Sequence, residues 1–388
     1  MIEILEENRE ILSRYRLKGF SYLGGLLVET GNAIELKGVT KRFGDVIAND
    51  NVNLTVRKGE ILSILGENGS GKTTLMNMLS GIYFPDEGEV YVDGKEVTIR
   101  SPKDSFALGI GMIHQHFKLI NILTAAENII LGLPGKEKLN MKQVEKEIRE
   151  LTEQYGFDLN PSQKIYDMSV SQKQTVEIVK VLYRGADILI LDEPTAVLTP
   201  QETEKLFAVL RNMRKAGKSI IIITHKLNEV LELSDRVAVL RKGKYIDTVE
   251  TAKATVESLT EMMVGEKVKL DINRTEPVGA EKRIEMRGIT CRNKEGLKVL
   301  TEASFTAYSG EILGVAGISG SGQKELLESV AGLQPIESGE ILYFSPEGTT
   351  EKISEMKAED IKNLGITLSF VPEDRLGMGL VGSMDLTD

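Results

Sequence analysis

The chain has 388 residues, of which 41% are hydrophobic and 27% are charged, and its formal net charge is −10. This length suits two to three domains of about 150 residues, and the composition is that of a globular protein with a sizeable core. The negative charge, the lack of Trp and an aromatic content of 5% argue against non-specific nucleic-acid binding and against a base-stacking platform. A single cysteine, Cys291, excludes an internal disulfide framework and a cysteine-based zinc site.

The N-terminal residues are predicted to form an extension over residues 1–33. Met1 to Arg16 has the pattern of a short amphipathic helix. The following apolar stretch, Phe20 to Val28, contains two glycines and is too short for a signal peptide. No run of 18 apolar residues occurs anywhere in the sequence, so we expect no membrane span and a cytoplasmic location.

Beyond residue 33, apolar strands alternate with helices. A helix is predicted from about Lys72 to Ser80, after a glycine-rich turn. Thr199, Pro200 and Glu202 form a capping box with proline at the first helical position, which opens a helix that Gly217 closes. The alternation predicts an α/β fold with a largely parallel sheet. Three continuous apolar runs are predicted to be its buried strands: Ile61 to Leu65, Asp187 to Leu191 and Ser219 to Thr224.

The sequence contains a duplication with an offset of 250 to 251 residues. The segment that begins at Ile34 aligns with the segment that begins at Ile284. We therefore predict a first domain at 34–264, a polar linker at 265–283 and a second domain at 284–388. Because the second copy has only about 105 residues, we expect it to be a partial domain, or the chain to be a fragment.

The turn after the first buried strand matches the phosphate-binding pattern G-x-x-x-x-G-K-[ST] between a strand and a helix. Its glycines allow backbone amides to point at phosphates, at the positive end of the following helix. Lys72 is expected to reach the β- and γ-phosphates, and the Thr73 hydroxyl to ligate Mg²⁺. The matching residues are Gly66, Glu67, Asn68, Gly69, Ser70, Gly71, Lys72 and Thr73.

Two carboxylates follow the apolar run Ile188 to Leu191, at the end where open α/β sheets bind ligands. Asp192 is placed to hold Mg²⁺, and Glu193 to orient and deprotonate an attacking water molecule. His225 follows the strand Ser219 to Thr224 and suits contact with the γ-phosphate. The other two histidines, His114 and His116, lack a third metal ligand of obvious spacing, and Gln115 between them is the better candidate for function.

The ordered set of motifs closely resembles the nucleotide-binding subunits of ABC transporters, from Ile34 to Asp388. The resemblance implies ATP and Mg²⁺ as ligands, a P-loop ATPase domain with a helical subdomain from about Phe117 to Tyr183, and a loop at Thr195 to Thr199 that crosses to an opposing domain. It implies that Phe43 stacks on adenine, that Gln115 links Mg²⁺ to the transmembrane partner, and that Thr74 binds ATP beside the phosphate loop. The signature motif corresponds to Ser169, Ser171 and Gln172.

The subtype resembles importers of nucleosides and simple sugars, on the strings Gly111 to Phe117, Tyr183 to Glu202 and Val371 to Arg375. This resemblance implies a peripheral subunit at the cytoplasmic face of the membrane. Its partners would be transmembrane permease subunits and an extracytoplasmic substrate-binding protein, with no nucleic acid.

The sequence departs from the family pattern at three places. In the second phosphate loop, Gln323 and Lys324 stand where the first copy has Lys72 and Thr73, and Glu373 falls opposite Gln115, so we expect no hydrolysis there. In the signature motif, Ser171 replaces a glycine, and its side chain is expected to obstruct ATP, so that Ser171→Gly would raise turnover. The second copy ends before a signature motif, so a homodimer would be needed to complete the first site.

Three functions therefore stay open. The first is a transport ATPase, and the second is a nucleotide-binding module or truncated gene product without turnover. The third is an ABC ATPase that acts on ribosomes or DNA. The third usually has two intact phosphate loops and a long basic or coiled-coil linker, whereas this linker is neutral and short.

Overall fold

The computed structural model describes residues 20–23, 26–29, 31–114, 117–133, 140–266, 279–293, 296–317, 321–366, 369 and 371. The chain forms two compact units, which divide between Leu270 and Asp271. The predicted N-terminal helix, Met1 to Arg16, lies outside the described residues, as does most of the predicted linker. Within the described part of the chain, no helix has both the length and the apolar character needed to cross a bilayer.

The strands of the first unit fall into a short hairpin and two larger sheets. Their bounds are β1 (Phe20–Leu23), β2 (Leu26–Glu29), β3 (Asn32–Phe43), β4 (Val46–Arg57), β5 (Ile61–Leu65), β6 (Glu87–Val92), β7 (Lys95–Val97), β8 (Ile110–Ile113), β9 (Ile188–Asp192), β10 (Ser219–Ile223), β11 (Arg236–Arg241) and β12 (Lys244–Glu250).

The central sheet has the order β12-β11-β5-β10-β9-β8. Strands β8, β9, β10, β5 and β11 run parallel to one another, and β12 pairs antiparallel with β11 at the edge. The strands β5 and β10 are buried along their whole length, as expected for strands covered on both faces. The largely parallel α/β sheet predicted from the sequence is confirmed. Strand β5 has the predicted bounds, β9 begins and ends one residue later than predicted, and β10 ends one residue earlier. The second sheet, β4-β3-β6-β7, is antiparallel.

Six of the eight described helices of the first unit begin directly after a residue whose side chain caps the helix; the exceptions begin at Lys72 and Leu227. The Thr199 side chain accepts a hydrogen bond from the Glu202 amide, and Pro200 occupies the first helical position, as predicted. The helices are α1 (Lys72–Leu79), α2 (Pro102–Ala107), α3 (Ala125–Ile130), α4 (Met141–Tyr155), α5 (Val170–Tyr183), α6 (Pro200–Lys215), α7 (Leu227–Leu233) and α8 (Val256–Val264).

Apolar side chains cover both faces of the central sheet. On one face, Leu62 and Ile64 of β5 pack with α1 and with the antiparallel sheet. On the other face, Ile61 of β5 joins a core with side chains of α5 and α6. Helices α3, α4 and α5 enclose a further core around Ile129 and Ile148, in the region where the resemblance implied a helical subdomain.

The second unit repeats the antiparallel sheet of the first. Its strands pair in the order β14-β13-β15-β16, which matches β4-β3-β6-β7. The repeat extends to backbone detail, because an added Cβ atom at Gly88 or at Gly339 would lie 2.5 Å from the carbonyl oxygen of Gly38 or Gly288, respectively. The elements are β13 (Lys282–Arg292), β14 (Lys298–Tyr308), β15 (Ser338–Phe344), β16 (Thr350–Lys352), α9 (Gln323–Val330) and α10 (Ala358–Asn363).

The two copies differ at the segment that corresponds to β5. Residues 311–317 are not in a strand, and the side chain of Ile312 is 99% exposed. The aligned residue of the first copy, Ile61, is fully buried. Leu313 and Val315 are also exposed, so an apolar stretch that forms the centre of the first unit lies at the surface of the second.

Candidate active site

The phosphate-binding loop follows β5 and ends at the first residue of α1. Gly71 has a φ of 93°, a conformation that glycine adopts without strain, and precedes helix α1 directly. An added Cβ atom at Gly66 would lie 2.3 Å from the carbonyl oxygen of Leu240, and one at Gly71 would lie 2.4 Å from that of Ala48. The loop can therefore close over the end of the sheet only with glycine at these two positions.

Lys72 points back into the loop. Its Nζ atom donates hydrogen bonds to the carbonyl oxygens of Gly66 at 2.7 Å and Glu67 at 2.8 Å, and the residue is only 6% exposed. Burial lowers the pKa of Lys72, while the nearby carboxylates of Glu193 and Asp192 oppose this shift. The loop thus holds a desolvated ammonium group close to two acidic side chains.

Asp192 and Thr73 meet at the open end of the sheet. The Thr73 hydroxyl donates a hydrogen bond to Oδ2 of Asp192 at 3.4 Å, although the two residues are 119 positions apart. Burial raises the pKa of Asp192, and the neighbouring Glu193 raises it further, against the effect of Thr73 and Lys72. A cation bound between these oxygens would relieve the buried negative charge.

Glu193 and His225 form a second pair at the same edge. Nδ1 of His225 lies 3.0 Å from Oε1 of Glu193, where the roles of donor and acceptor depend on the histidine tautomer. The Glu193 backbone has a φ of 47°, in the left-handed region that side-chain-bearing residues rarely adopt. Its amide nevertheless donates to the carbonyl oxygen of Ile223, so the sheet fixes this conformation at the site.

Lys72, Thr73, Asp192 and Glu193 line one cleft of about 560 Å³, and His225 reaches it through its contact with Glu193. The predicted loop residues from Asn68 to Thr74 and both carboxylates contribute to its wall. Sequence reasoning missed part of the opposite wall, formed by Val46, Ile47, Ala48, Ile223, Lys242 and Gly243. Lys242 follows β11, which runs parallel to β5, so the rule that strand ends gather at one edge could have found it.

Phe43 does not line this cleft. It lies at the end of β3, 43% exposed, with its ring centroid 5.1 Å from that of Tyr83 in an edge-to-face arrangement. The apolar residues of the cleft wall nearest to it in the chain are Val46 and Ile47. A role of Phe43 in stacking on adenine therefore stays a prediction.

The donor set of the cleft suits a nucleotide triphosphate with Mg²⁺. The hydroxyl of Thr73 and the carboxylate of Asp192 are oxygen ligands of the kind that Mg²⁺ prefers. Among the described residues, the buried Oγ atom of Ser70 has no hydrogen-bond partner within the protein, although it lies in the loop that would cradle phosphates. An unsatisfied buried hydroxyl at this position fits a ligand oxygen.

The signature residues lie at the start of α5. Ser169 and Gln172 form a capping box, in which the Ser169 side chain accepts from the Gln172 amide and the Gln172 side chain accepts from the Ser169 amide. The Ser171 hydroxyl donates to Oε1 of Glu202 at 2.6 Å. The side chain that replaces the family's glycine thus has a partner at the start of α6.

Comparison with known proteins identifies the family of this chain. The family model described as "ABC transporter" matches residues 49–196. The nucleoside import ATP-binding protein NupA of Lactococcus lactis subsp. cremoris is 45% identical over 92% of this chain and 69% of its own length. The chain belongs to the ATP-binding subunits of ABC transporters. It is an importer ATPase of the nucleoside and simple-sugar branch, as the resemblance implied.

Other relatives in the same branch carry different names. The guanosine import ATP-binding protein NupO of Bacillus subtilis is 43% identical over 90% of this chain and 67% of its own length. The glucose import ATP-binding protein TsgD13 of Haloferax volcanii is 40% identical over 91% of this chain and 68% of its own length. The chain therefore spans about two thirds of the length of these relatives.

Solved ABC transporter cassettes share the fold. One cassette in its ADP conformation has a TM-score of 0.53 and 27% sequence identity. The match covers 61% of this chain and 96% of the cassette. A dimeric cassette bound to ADP and Pi has a TM-score of 0.50 and 29% sequence identity. This match covers 56% of this chain and 98% of the cassette. The predicted P-loop ATPase fold is confirmed.

The described ends of the second phosphate loop repeat one hydrogen bond of the first loop, without the charged donor. Nε2 of Gln323 donates to the carbonyl oxygen of Gly317 at 3.0 Å, as Nζ of Lys72 donates to that of Gly66. Lys324, which stands where the first copy has Thr73, lies 3.9 Å from the carboxylate of Glu328. A neutral amide thus replaces the ammonium group, and residues 318–320 of this loop lie outside the described residues.

Two further predictions concern the segment after β8. Gln115 and His116 lie outside the described residues, so the link from Gln115 to Mg²⁺ and the permease stays a prediction. His114 is described, and burial together with nearby Lys118 lowers its pKa. The described residues include no group of three His, Cys, Asp or Glu side chains that could hold a metal ion.

Proposed function

We propose that this chain hydrolyses MgATP at its first phosphate loop and thereby drives the uptake of nucleosides or simple sugars through a membrane permease. One observation carries the proposal. The Lys72 ammonium group, the Thr73–Asp192 pair and the Glu193–His225 pair line or border one cleft at the carboxyl edge of the parallel sheet. These are the groups that positioning and charge stabilisation of a phosphoryl transfer require.

In this proposal each residue has one role. The loop from Gly66 to Thr74 holds the phosphates, and Lys72 balances charge on the β- and γ-phosphates. Thr73 and Asp192 would hold Mg²⁺, which supplies charge neutralisation for the transferred phosphate. Glu193 accepts the proton of the attacking water molecule, and His225, at 3.0 Å, fixes the orientation of that carboxylate and faces the γ-phosphate.

The relatives support nucleosides as the substrate class. The two relatives named for nucleoside or guanosine import are 45% and 43% identical, and those named for glucose and ribose import are 40% and 39% identical. The subunit would act at the cytoplasmic face of the membrane with permease subunits and an extracytoplasmic substrate-binding protein. The dimeric cassette among the structural neighbours supports a pairing of two ATPase domains.

Turnover of MgATP by the purified chain, measured over a range of protein concentrations, tests this proposal. We expect turnover per chain to rise with concentration, because a second domain must cover the bound ATP. In Glu193→Gln, which keeps the size and hydrogen-bonding capacity of the side chain, we expect ATP binding to persist and turnover to fall by about 10²- to 10⁴-fold.

The alternative is a nucleotide-binding module without turnover, which the altered signature residue Ser171 and the neutral Gln323 favour. Tight ATP binding with no turnover above that of Glu193→Gln at any concentration would establish this alternative. Unchanged turnover in Glu193→Gln would show that another group is the base.

A further inference from the structure

The hydroxyl group of Ser171, where the family has glycine, connects two helix ends. Ser171 lies in the first turn of α5, and its hydroxyl donates to Oε1 of Glu202 in the first turn of α6. The other carboxylate oxygen, Oε2 of Glu202, accepts from the amide of Thr199 at 2.9 Å and from its hydroxyl at 3.0 Å. One carboxylate therefore joins the signature residues to the end of the loop Thr195 to Thr199.

The protons of this network have one consistent arrangement. An ionised carboxylate only accepts hydrogen bonds, so the Ser171 hydroxyl must be the donor to Glu202. The hydrogen bonds from Ser171 and from the Thr199 amide lower the pKa of Glu202, which keeps this carboxylate ionised. Ser171 can then only accept from Ser169, whose hydroxyl lies 3.0 Å away. The hydroxyl proton of Ser169 thus points along the network towards Glu202.

A second hydrogen bond holds the other end of the same loop. Nε2 of Gln174, three residues after Ser171 and on the same face of α5, donates to the carbonyl oxygen of Pro194 at 2.6 Å. Gln174 is buried, and Pro194 follows Glu193 directly. The loop is therefore held to α5 at its start through Gln174 and at its end through Ser171.

Packing does not replace this connection at the helix ends. Farther along, Ile178 of α5 and Leu206 of α6 belong to one apolar core. Near their first turns, the two helices flank a cleft of about 520 Å³ that Ser171, Thr175, Glu202 and Lys205 help to line. Leu198 of the loop also packs against this core. The hydrogen bond between Ser171 and Glu202 joins the two first turns, so loss of the Ser171 hydroxyl removes this polar contact between the helix ends.

We propose that Ser171 is a positioning residue that acts through Glu202 to hold the signature segment and the loop Thr195 to Thr199 in one fixed arrangement. This inference rests on the proposed function, in which a second domain covers the bound ATP. A glycine at position 171 would keep the contact of Gln174 with Pro194 and lose the hydrogen bond to Glu202. The serine thereby restrains the end of the loop relative to the signature segment, and we expect it to affect turnover without contacting the phosphate loop.

Hydrogen exchange on the nucleotide-free chain tests the connection independently of turnover. Ser171→Ala removes the hydroxyl and keeps a helix-forming side chain. We expect faster amide exchange at residues 169–173 and at 197–203, with exchange at 193–195 unchanged because Gln174 still holds Pro194. Unchanged exchange at 197–203 would overturn the proposal. Glu127→Ala is the matched control, since it removes the carboxylate of another threonine capping box, at Thr124, and should leave both segments unaffected.

Turnover then tests the functional consequence. We expect Ser171→Ala to lower the rate constant for ATP hydrolysis by about five- to tenfold, the effect of one typical hydrogen bond, with ATP affinity unchanged. Glu202→Ala should lower it at least as much, and the double variant no further. Equal turnover in wild type and Ser171→Ala, or losses that multiply in the double variant, would show that Ser171 does not act through Glu202.

The turnover of Ser171→Gly distinguishes this inference from the hypothesis that the serine side chain obstructs ATP. Obstruction predicts that glycine raises turnover, and the hydrogen-bonded connection predicts that it lowers turnover as alanine does. If the wild type shows no turnover above Glu193→Gln, the proposed function fails, while the exchange experiment still decides whether the connection exists.

Discussion

At the scale of single residues, the site depends on charges that the fold has partly removed from water. Lys72 is buried against two carbonyl oxygens, and Asp192 has a raised pKa beside Glu193. Burial thus works against the charged form of each group, and a bound phosphate or cation would favour that charged form. Binding at this cleft would therefore gain from restoring these charges.

Lys72→Ala should abolish ATP binding at micromolar concentrations. The substitution removes a charge-assisted contact to the phosphates worth about 3 kcal/mol, which corresponds to a loss of more than about 100-fold in affinity. Isothermal titration with ATP and Mg²⁺ measures this directly. Lys324→Ala, the lysine of the second loop, should leave the affinity of the first site unchanged, and an equal loss in both variants would contradict the assignment.

At the scale of elements, a buried ion pair fixes the start of β5. Arg236 of β11 lies 3.2 Å from Oε1 of Glu60, and both residues are buried. Glu60 also accepts from the amide of Arg57, in the turn that leads into the strand. Burial, the larger effect, raises the pKa of Glu60 in spite of these partners. The corresponding residue of the second copy, Glu311, accepts from the amide of Tyr308 in the same way, but it is exposed.

Glu60→Ala should destabilise the first unit strongly. It leaves the guanidinium group of Arg236 buried without its carboxylate, at a cost of about 3–5 kcal/mol. Urea unfolding followed by circular dichroism measures the change. Glu232→Ala, which removes the partner of Arg211 in an exposed ion pair, is the control and should cost no more than about 1 kcal/mol. Similar midpoints for the two variants would show that the buried pair is not a constraint on the fold.

Elements with a local signal could be predicted from the sequence. The apolar runs at β5, β9 and β10, the capping box at Thr199 and the glycine pattern before Lys72 each lie within a few neighbouring residues. The contacts between distant segments could not be predicted, because a hydrogen bond such as that of Ser171 with Glu202 depends on how two helices approach. The same holds for Glu60 with Arg236, and for the cleft wall at Val46 and Ile47.

At the scale of the whole molecule, the duplicated sequence pattern folds differently in the two units. Each has an antiparallel sheet of the same strand order, followed by a glycine-rich loop and a helix. In the first unit the strand before the loop is the centre of a parallel sheet. In the described residues of the second unit, the aligned stretch 311–317 pairs with no strand and exposes Ile312 and Leu313. An exposed apolar stretch of this kind promotes association.

Ile312→Lys should reduce self-association of the chain without lowering its stability. An exposed position tolerates the change within about 0.5 kcal/mol, and the added charge opposes aggregation. Light scattering at rising protein concentration and thermal unfolding measure the two effects. Ile61→Lys, at the aligned and fully buried position, should instead prevent folding of the first unit. Scattering that is the same for Ile312→Lys and wild type would exclude this stretch as the site of association.

The left-handed backbone of Glu193 has a consequence for how such a chain can change over generations. A glycine at this position would relieve about 1–2 kcal/mol of backbone strain, so selection for folding alone favours losing the carboxylate. In the proposed function, selection for ATP turnover opposes that loss. The residue at position 193 would therefore indicate whether a domain of this kind is still under selection for turnover.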